Sequence, residues 1–164
     1  MTDPKSDKID ELSDRWFTRY PKMKTGPWQI WGRMVRINES FLIEASNSLV
    51  PAGLNYKEFQ TLAALVLSEE PSYPSQIASF SMLTSGGTAN LLSRLESKGL
   101  ITRKQNTQDK RGIIVELTSA GRNLFQTALD LENKVEHKML EPLTLGEREQ
   151  LISLLRKLTS ELGL

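Results

Sequence analysis

The stretch that decides the fold runs from Leu83 to Arg103 and reads LTSGGTANLLSRLESKGLITR. Its first part predicts a helix over residues 85–98, with Thr84 as the N-cap. After Gly99 the spacing of apolar residues changes from about 3.6 to about 2, which indicates that a β-strand follows. The chain is therefore expected to pass directly from a helix into a strand at this point.

The predicted helix has two chemically different faces. At 100° per residue, one side is apolar because it carries Leu91, Leu92 and Leu95, together with Thr88. The other side carries small and hydrogen-bonding residues. Such a surface fits the major groove of DNA. The alternative interpretation is that this side of the helix is simply exposed to solvent. The residues of this other side are Gly86, Asn90, Ser93 and Ser97, with Gly87 and Arg94 at its edge.

Two adjacent glycines, Gly86 and Gly87, argue against a helix that is merely exposed to solvent. Each costs a helix interior about 0.5–1 kcal/mol, which indicates that close approach of the backbone to a partner is needed there. A phosphate-binding loop is rejected because the Gly-Lys-Ser/Thr ending is missing. The predicted DNA-binding residues of the helix are Thr84, Ser85, Gly86, Gly87, Thr88, Asn90 and Arg94.

A two-stranded hairpin, or wing, is predicted after the helix. Residues 100–104 and 112–117 are rich in β-branched side chains, and the polar residues 105–111 separate them. An isolated hairpin is marginally stable, so this one should pack on the helices and project its charged tip. Narrow minor grooves attract arginine, which favours Arg111, oriented by Asp109. The predicted DNA-binding residues of the wing are Lys104, Asp109, Lys110 and Arg111.

The charge of the chain is unevenly distributed. Between Thr84 and Gly112 there are six basic and two acidic residues, a net charge of +4, whereas the remaining fifteen basic and eighteen acidic residues give −3. A basic segment on an otherwise acidic molecule is typical of a surface that binds a polyanion. On charge alone, a solvated charged face explains the segment equally well.

Further helices are predicted on both sides of this unit. An N-terminal extension over residues 1–26 contains a short helix at residues 9–19. The helix at residues 27–50 is apolar nearly all round, and a partner subunit is a ready source of cover for it. A capping box formed by Asn55 and Glu58 starts the next helix.

The C-terminal part is also helical. Thr118 caps a long helix that Pro142 interrupts, and a second capping box begins the last helix at Thr144. This pattern predicts a mainly α fold with a small β-hairpin wing, in which the main domain covers residues 27–164 and a DNA-binding lobe covers residues 55–118. The last helix carries a narrow apolar stripe that suits packing against another helix, either within the chain or in a second copy.

Composition argues against several other classes of protein. The chain has no cysteine and only one histidine, His137, so thiolate metal sites and cysteine nucleophiles are unavailable, and we expect no metal, no cofactor and no enzymatic activity. No apolar run approaches the roughly 20 residues needed to cross a bilayer, and the polar start does not resemble a signal peptide. The expected location is the cytoplasm.

Taken together, these motifs resemble the MarR family of regulators. The resemblance covers nearly the whole chain, and Asp14-Arg15-Trp16 with the NYKEF stretch at residues 55–59 is most similar to the PecS branch. It implies a winged helix-turn-helix dimer formed by the N- and C-terminal helices, with dimerisation helices at residues 27–50 and 119–162. Such a dimer represses promoters and releases them when a small ligand binds. The stretches that carry it are LTSG at 83–86, RLESKGLITR at 94–103, DKRG at 109–112 and LTSAG at 117–121.

The resemblance also implies an effector pocket between the dimer helices and the DNA-binding lobe. Urate-responsive members of the branch use an N-terminal tryptophan, an acidic residue on the second helix and an arginine on the recognition helix. Trp16 matches the first, but Gln60 and Leu91 replace the two charged residues, which argues against urate. The candidate lining residues are Trp16, Trp28, Trp31 and Gln60; the alternative is that the tryptophans are only core.

The sequence thus predicts a double-stranded DNA-binding transcription regulator. It would act as a ligand-responsive repressor that binds a pseudo-palindromic promoter site as a homodimer, with DNA, a second copy and an unidentified small-molecule effector as partners. A different hypothesis is a dimeric winged-helix module that binds protein instead of DNA. That module should expose aromatic anchors on the predicted recognition helix, and residues 85–98 contain none.

Overall fold

The computed structural model describes residues 6–22, 24–68, 72–81, 85–106 and 112–163. These residues form helices and one antiparallel hairpin, as the sequence predicts. The elements are α1 (Lys8–Arg19), α2 (Gly26–Ser48), a 3-10 turn (Val50–Ala52), α3 (Tyr56–Leu67), α4 (Pro74–Ser81), α5 (Ser85–Ser97), β1 (Ile101–Gln105), β2 (Ile113–Leu117), α6 (Ser119–Leu140) and α7 (Leu145–Leu162).

The chain divides into two compact units, Met1–Ile43 and Glu44–Leu164. In the first unit, Asp7 caps α1, and Arg33 of α2 bonds to Asp7 at 2.9 Å and to Asp10 at 2.7 Å. Ile9 is buried at 3% exposure. Its side chain lies where a Cβ on Gly32 would approach within 3.0 Å, so the two helices touch closely at this glycine.

Most of the apolar surface of α2 is not covered within the single chain. Only Ala45 of this helix is buried, whereas Ile30, Trp31 and Val35 each expose more than half of their surface. The expectation that this helix needs cover from elsewhere therefore agrees with its exposure. Within the described residues, no helix is long and apolar enough to span a membrane.

The second unit has a continuous apolar core. Side chains from α3, α5, both strands and α6 meet there, and the rings of Phe59 and Phe125 stack at 5.5 Å. Local signals place the helices that supply them. Asn55 and Glu58 form the predicted capping box of α3, and the hydroxyl of Thr118 accepts a hydrogen bond from the Gly121 amide at the start of α6.

The hairpin is held at its base by neighbouring elements. Its register pairs Ile101 with Leu117 and Gln105 with Ile113. Ser72, just before α4, adds a short third strand segment, because its amide and carbonyl bond with those of Val115 at 3.3 and 2.9 Å. The prediction that the hairpin packs on the helices is confirmed, because Ile101 and Val115 lie in the same apolar core as side chains of α3, α5 and α6.

The last helix, α7, contains no buried residue. It begins with the predicted capping box of Thr144 and Glu147. Its apolar side chains all remain exposed in the single chain: Leu145, Leu151, Ile152, Leu154, Leu155, Leu158 and Leu162. A helix with so many exposed leucines is typical of a surface that another chain covers.

Candidate nucleic-acid interface

The two faces of α5 are those that the sequence predicts. Leu91, Leu92 and Leu95 are each at most 5% exposed and pack into the core of the second unit. The outer face is chemically different, since its side chains are small or polar. Its exposed residues are Gly86, Ala89, Asn90, Ser93, Arg94 and Ser97.

The predicted contact residues of α5 are not all on its outer face. Thr88 is only 2% exposed and lies on the inner face of α5, so we remove it from the set that reaches DNA. Thr84 and the side chain of Ser85 lie outside the described residues. Gly87 is partly exposed, and Asn90 remains the most central polar side chain of the outer face.

A hollow of about 310 Å³ lies beside this outer face. Residues 55–57 at the start of α3 form one wall, and Gly87, Asn90 and Arg94 of α5 form the other. Lys57 therefore stands close to the recognition face, which the sequence analysis did not predict. The capping box at Asn55 was the available signal, because it places Lys57 in the first turn of α3.

Behind the outer face, α5 is tied to α3 by one buried carboxylate, Glu58, which is 1% exposed. Its Oε1 accepts hydrogen bonds from Arg94 Nη2 at 2.9 Å and from Lys98 Nζ at 2.8 Å. Its Oε2 accepts one from the Asn55 amide at 2.9 Å. Burial alone would raise the pKa of the Glu58 carboxyl, but the Lys98 and Asn55 hydrogen bonds and the Arg94 charge lower it below its usual value.

The basic segment carries less uncompensated charge than its sequence indicates. Arg103 pairs with Glu96, its Nε donating at 2.8 Å, and Lys104 pairs with Glu116 across the hairpin. Since Arg94 and Lys98 pair with a glutamate outside the segment, all four described basic side chains of the segment have acidic partners. The Arg103–Glu96 and Lys104–Glu116 pairs are partly exposed to water. Their basic side chains can exchange readily to other anions, because an exposed ion pair contributes little free energy in water.

Two hydrogen bonds hold Asn106, the last described residue before the tip of the wing. The Asn106 amide donates to the Gly112 carbonyl at 2.8 Å, and the Asn106 side chain donates to the Tyr73 hydroxyl at 2.7 Å. These bonds join Asn106 to Gly112 across the hairpin and link Asn106 to Tyr73, the residue directly before α4. Three of the four predicted wing residues, Asp109, Lys110 and Arg111, lie outside the described residues.

The three candidate effector tryptophans do not all line one hollow. Trp28 and Trp31 line a mainly apolar hollow of about 470 Å³ within the first unit. Its lining does not include Trp16, whose ring contacts Tyr20 with centroids 5.5 Å apart. Gln60 belongs to the second unit, and its buried Oε1 has no hydrogen-bond partner among the described residues.

The described parts of the chain contain no set of side chains arranged to bind a metal ion. No group of three or more histidine, cysteine, aspartate or glutamate side chains is placed there to hold an ion.

Comparison with known proteins agrees with this description. The family model described as "MarR family" matches residues 54–113, which include α3, α4, α5 and β1. The regulator PecS of Dickeya dadantii is 26% identical over 94% of this chain and 95% of its own. The transcriptional repressor MprA of Escherichia coli is 28% identical over 76% of this chain and 72% of its own.

The solved structures extend the likeness to the fold. Wild-type MarR from E. coli in its apo form superimposes with a TM-score of 0.69 at 25% identity, over 77% of this chain and 95% of that one. The described mainly helical architecture with its antiparallel hairpin is thus a winged helix of the same kind. The chain belongs to the MarR family of transcription regulators.

Proposed function

We propose that this regulator binds double-stranded DNA as a homodimer and reads a pseudo-palindromic promoter site with the outer face of α5. Two symmetry-related α5 helices would enter successive major grooves about 34 Å apart, while the wings contact flanking minor grooves. The observation that carries the proposal is the contrast between the two faces of α5, a fully buried apolar side and an exposed side of small and polar residues.

Asn90 is the residue best placed to read a base. It is exposed near the middle of the outer face, and its amide offers both a donor and an acceptor, the combination that pairs with an adenine edge. Arg94 lies one turn further along α5 and is 56% exposed, so its guanidinium accompanies Asn90 on the same face. Gly86 leaves room at the N-terminal end of the helix.

A second copy of the chain is the proposed cover for the exposed leucines of α7. A continuous apolar stripe along an 18-residue helix is costly to leave in water, and a symmetric dimer buries the same stripe on both subunits. Dimerisation also supplies two recognition helices, which a palindromic site requires. The long helices α2 and α7 are therefore assigned to the interface.

We assign the protein the role of a ligand-responsive repressor. MprA carries the description of a transcriptional repressor, and its resemblance to this chain supports the same direction of control. The apolar hollow beside Trp28 and Trp31 is the proposed start of an effector site for an aromatic or apolar small molecule. A urate-like anion is disfavoured because Gln60 and Leu91 carry no charge.

Selection from random-sequence duplex DNA tests this function. The purified protein is incubated with the library at several salt concentrations, and the bound fraction is sequenced. Enrichment of a short inverted repeat, with binding that weakens as salt increases, is the expected result. Absence of any enriched sequence together with salt-independent binding would contradict DNA recognition and favour a winged-helix module that binds protein.

Gly86→Ala should weaken DNA binding without weakening the fold. No described heavy atom lies within 4 Å of the position that a Cβ would occupy, so the change should increase folding stability by about 0.4–1 kcal/mol. The added methyl group would stand between α5 and the groove, and we expect about a tenfold loss of affinity for the selected site.

The matched control is Gly146→Ala. Gly146 is the second residue of α7, as Gly86 is of α5, and a Cβ there also meets no described atom within 4 Å. It should stabilise the fold by a similar amount and leave DNA affinity unchanged. Equal affinities for the two variants in a fluorescence anisotropy titration would show that Gly86 does not face the DNA.

Arg111→Ala tests the wing. Because a minor-groove arginine acts mainly through charge, the substitution should weaken binding to all sequences and flatten the salt dependence by about one unit for each phosphate that the variant no longer neutralises. Arg15→Ala, at an exposed arginine of α1, serves as a control for total charge. An Arg111→Ala variant with the affinity and slope of wild type would remove the wing from the mechanism.

A further inference from the structure

The recognition helix is held by a buried charge that its DNA-binding role does not itself require. Glu58 has 1% exposure, and both of its carboxylate oxygens accept hydrogen bonds. Burying a carboxylate is costly unless it is fully paired, so Arg94 of α5, Lys98 just after α5 and one backbone amide are committed to this group. A neutral residue would avoid that cost, which raises the question of what the charge does.

The network fixes the placement of one residue in particular. Arg94 lies on α5 and Lys98 directly follows its last residue, Ser97, so one carboxylate oxygen shared by the two fixes the C-terminal end of the helix against α3. Lys98 also donates to the Gly53 carbonyl at 2.9 Å, which anchors the same turn to the loop before α3. Arg94 differs, because 56% of its side chain remains exposed beside Asn90.

The electrostatic effect of this carboxylate on DNA binding has the wrong sign to explain its presence. A negative charge behind the recognition face repels phosphate groups and lowers the attraction that Arg94 and Lys98 would otherwise provide. A benefit for binding must therefore come from geometry. A guanidinium held at one edge by a carboxylate keeps a fixed plane, and a fixed plane favours one arrangement of the bases and phosphates it meets.

We propose that Glu58 is a positioning residue for sequence recognition, which orients Arg94 on α5 so that the regulator discriminates its own site from other DNA. The inference rests on the proposed function, since it concerns the same DNA-binding face. It assigns to α3 a part in specificity, although Glu58 itself is buried and does not reach the DNA. The quantity to be measured is the specificity ratio, which is the affinity for the selected DNA divided by the affinity for unrelated DNA.

The test compares two substitutions that separate charge from geometry. Glu58→Gln keeps the shape and the capping acceptor but removes the charge, whereas Glu58→Asp keeps the charge on a side chain one methylene group shorter. Each variant is titrated with the selected duplex and with a scrambled duplex at one fixed salt concentration. The temperature is kept well below the midpoint of thermal unfolding of that variant. Glu147→Gln makes the same change at the equivalent capping position of α7 and is the control.

Both Glu58 variants should lower the specificity ratio by about tenfold, because each withdraws the oxygen that orients Arg94. Glu58→Gln should in addition bind scrambled DNA as tightly as wild type or more tightly, since a repulsive charge is lost. If Glu58→Gln does not fold, Glu58→Asp alone decides the question. The Glu147→Gln control should keep the wild-type ratio.

A further measurement asks whether Glu58 acts through Arg94. With Arg94→Gln already present, Glu58→Asp should not lower the ratio again, whereas independent effects would multiply. The positioning role is overturned if Glu58→Asp lowers the specificity ratio by the same factor with and without Arg94→Gln, or if Glu58→Asp leaves the wild-type ratio unchanged. DNA binding by the wild type would still stand in either case. A wild type that selects no sequence would overturn the proposed function and this inference together.

Discussion

Gly121→Ala is expected to be the most damaging glycine-to-alanine substitution among the glycines whose surroundings the structure describes. A Cβ at Gly121 would lie 2.1 Å from the Leu100 carbonyl oxygen, a backbone atom. That oxygen cannot withdraw easily, because it accepts hydrogen bonds from the amide and the hydroxyl of Thr118 at 3.1 and 3.0 Å. We expect a loss of about 3 kcal/mol or more in the free energy of unfolding.

Urea denaturation of the purified variant, at one fixed protein concentration, measures this loss. Gly146→Ala is again the control, since the same substitution near the start of α7 meets no described atom within 4 Å. Gly121→Ala should also weaken DNA binding, because Leu100 directly precedes β1, the first strand of the wing. A Gly121→Ala protein as stable as wild type would mean that α6 and the hairpin do not approach each other this closely.

Glu132→Gln is expected to change how stability depends on pH. Glu132 is buried at 5% exposure on α6, and burial, followed by the charge of Glu136 and a hydrogen bond with it, raises the pKa of its carboxyl to about 7. Tyr56 stands beside the pair. Its pKa is also raised, by burial and by the charges of the two glutamates.

The direction follows from proton binding. Because the folded protein holds this proton up to about pH 7 and the unfolded chain releases it near pH 4.5, the folded state loses stability as pH rises through that interval. Glu132→Gln removes the penalty, so the variant should be more stable than wild type by about 2–3 kcal/mol at pH 8 and similar to it at pH 4.5.

Urea unfolding curves at pH 4.5, 6 and 8 give the comparison. Glu136→Gln is an informative companion, since removing the neighbouring charge should lower the pKa of Glu132 and give part of the same gain. A Glu132→Gln protein whose stability varies with pH just as that of wild type would show that this carboxyl is not the group that titrates.

Local patterns predicted the elements of the fold well. The capping boxes at Asn55 and Thr144 and the N-cap at Thr118 act within one helical turn, so the sequence contains everything that forms them. The two faces of α5 also follow from spacing alone, because a helix 13 residues long repeats its burial pattern every 3.6 residues. Thr88 was the exception, since it was assigned to the buried side and to DNA contact at once.

Long-range pairing was beyond the reach of sequence patterns. Arg94 lies 36 residues from Glu58, and nothing in the local pattern relates a capping glutamate on α3 to a recognition-helix arginine. The net charge of residues 84–112 could not be interpreted from the sequence alone for the same reason, because part of it is balanced by Glu58 and Glu116 from outside the segment. The close contact at Gly121 and the burial of Glu132 likewise depend on how α6 packs.

The proposed effector site shows the same limit. Trp16 was chosen from the resemblance to urate-responsive regulators, and Trp28 and Trp31 as further candidate lining residues. Of these three tryptophans, only Trp28 and Trp31 line the same hollow. The position of Gln60 in the second unit could not be related to them by spacing along the chain. Chemistry that is assembled from distant segments needs the packing before its residues can be paired.

The central claim is that the outer face of α5 reads bases, and a single-base substitution profile tests it most directly. Wild type and Asn90→Ala are titrated with the selected duplex and with each of its single-base variants. We expect Asn90→Ala to lose discrimination at one base pair of each half-site, by a factor of about 5 to 100, and to keep the wild-type preference elsewhere. A profile identical to that of wild type, or one lowered evenly at every position, would contradict base reading by α5.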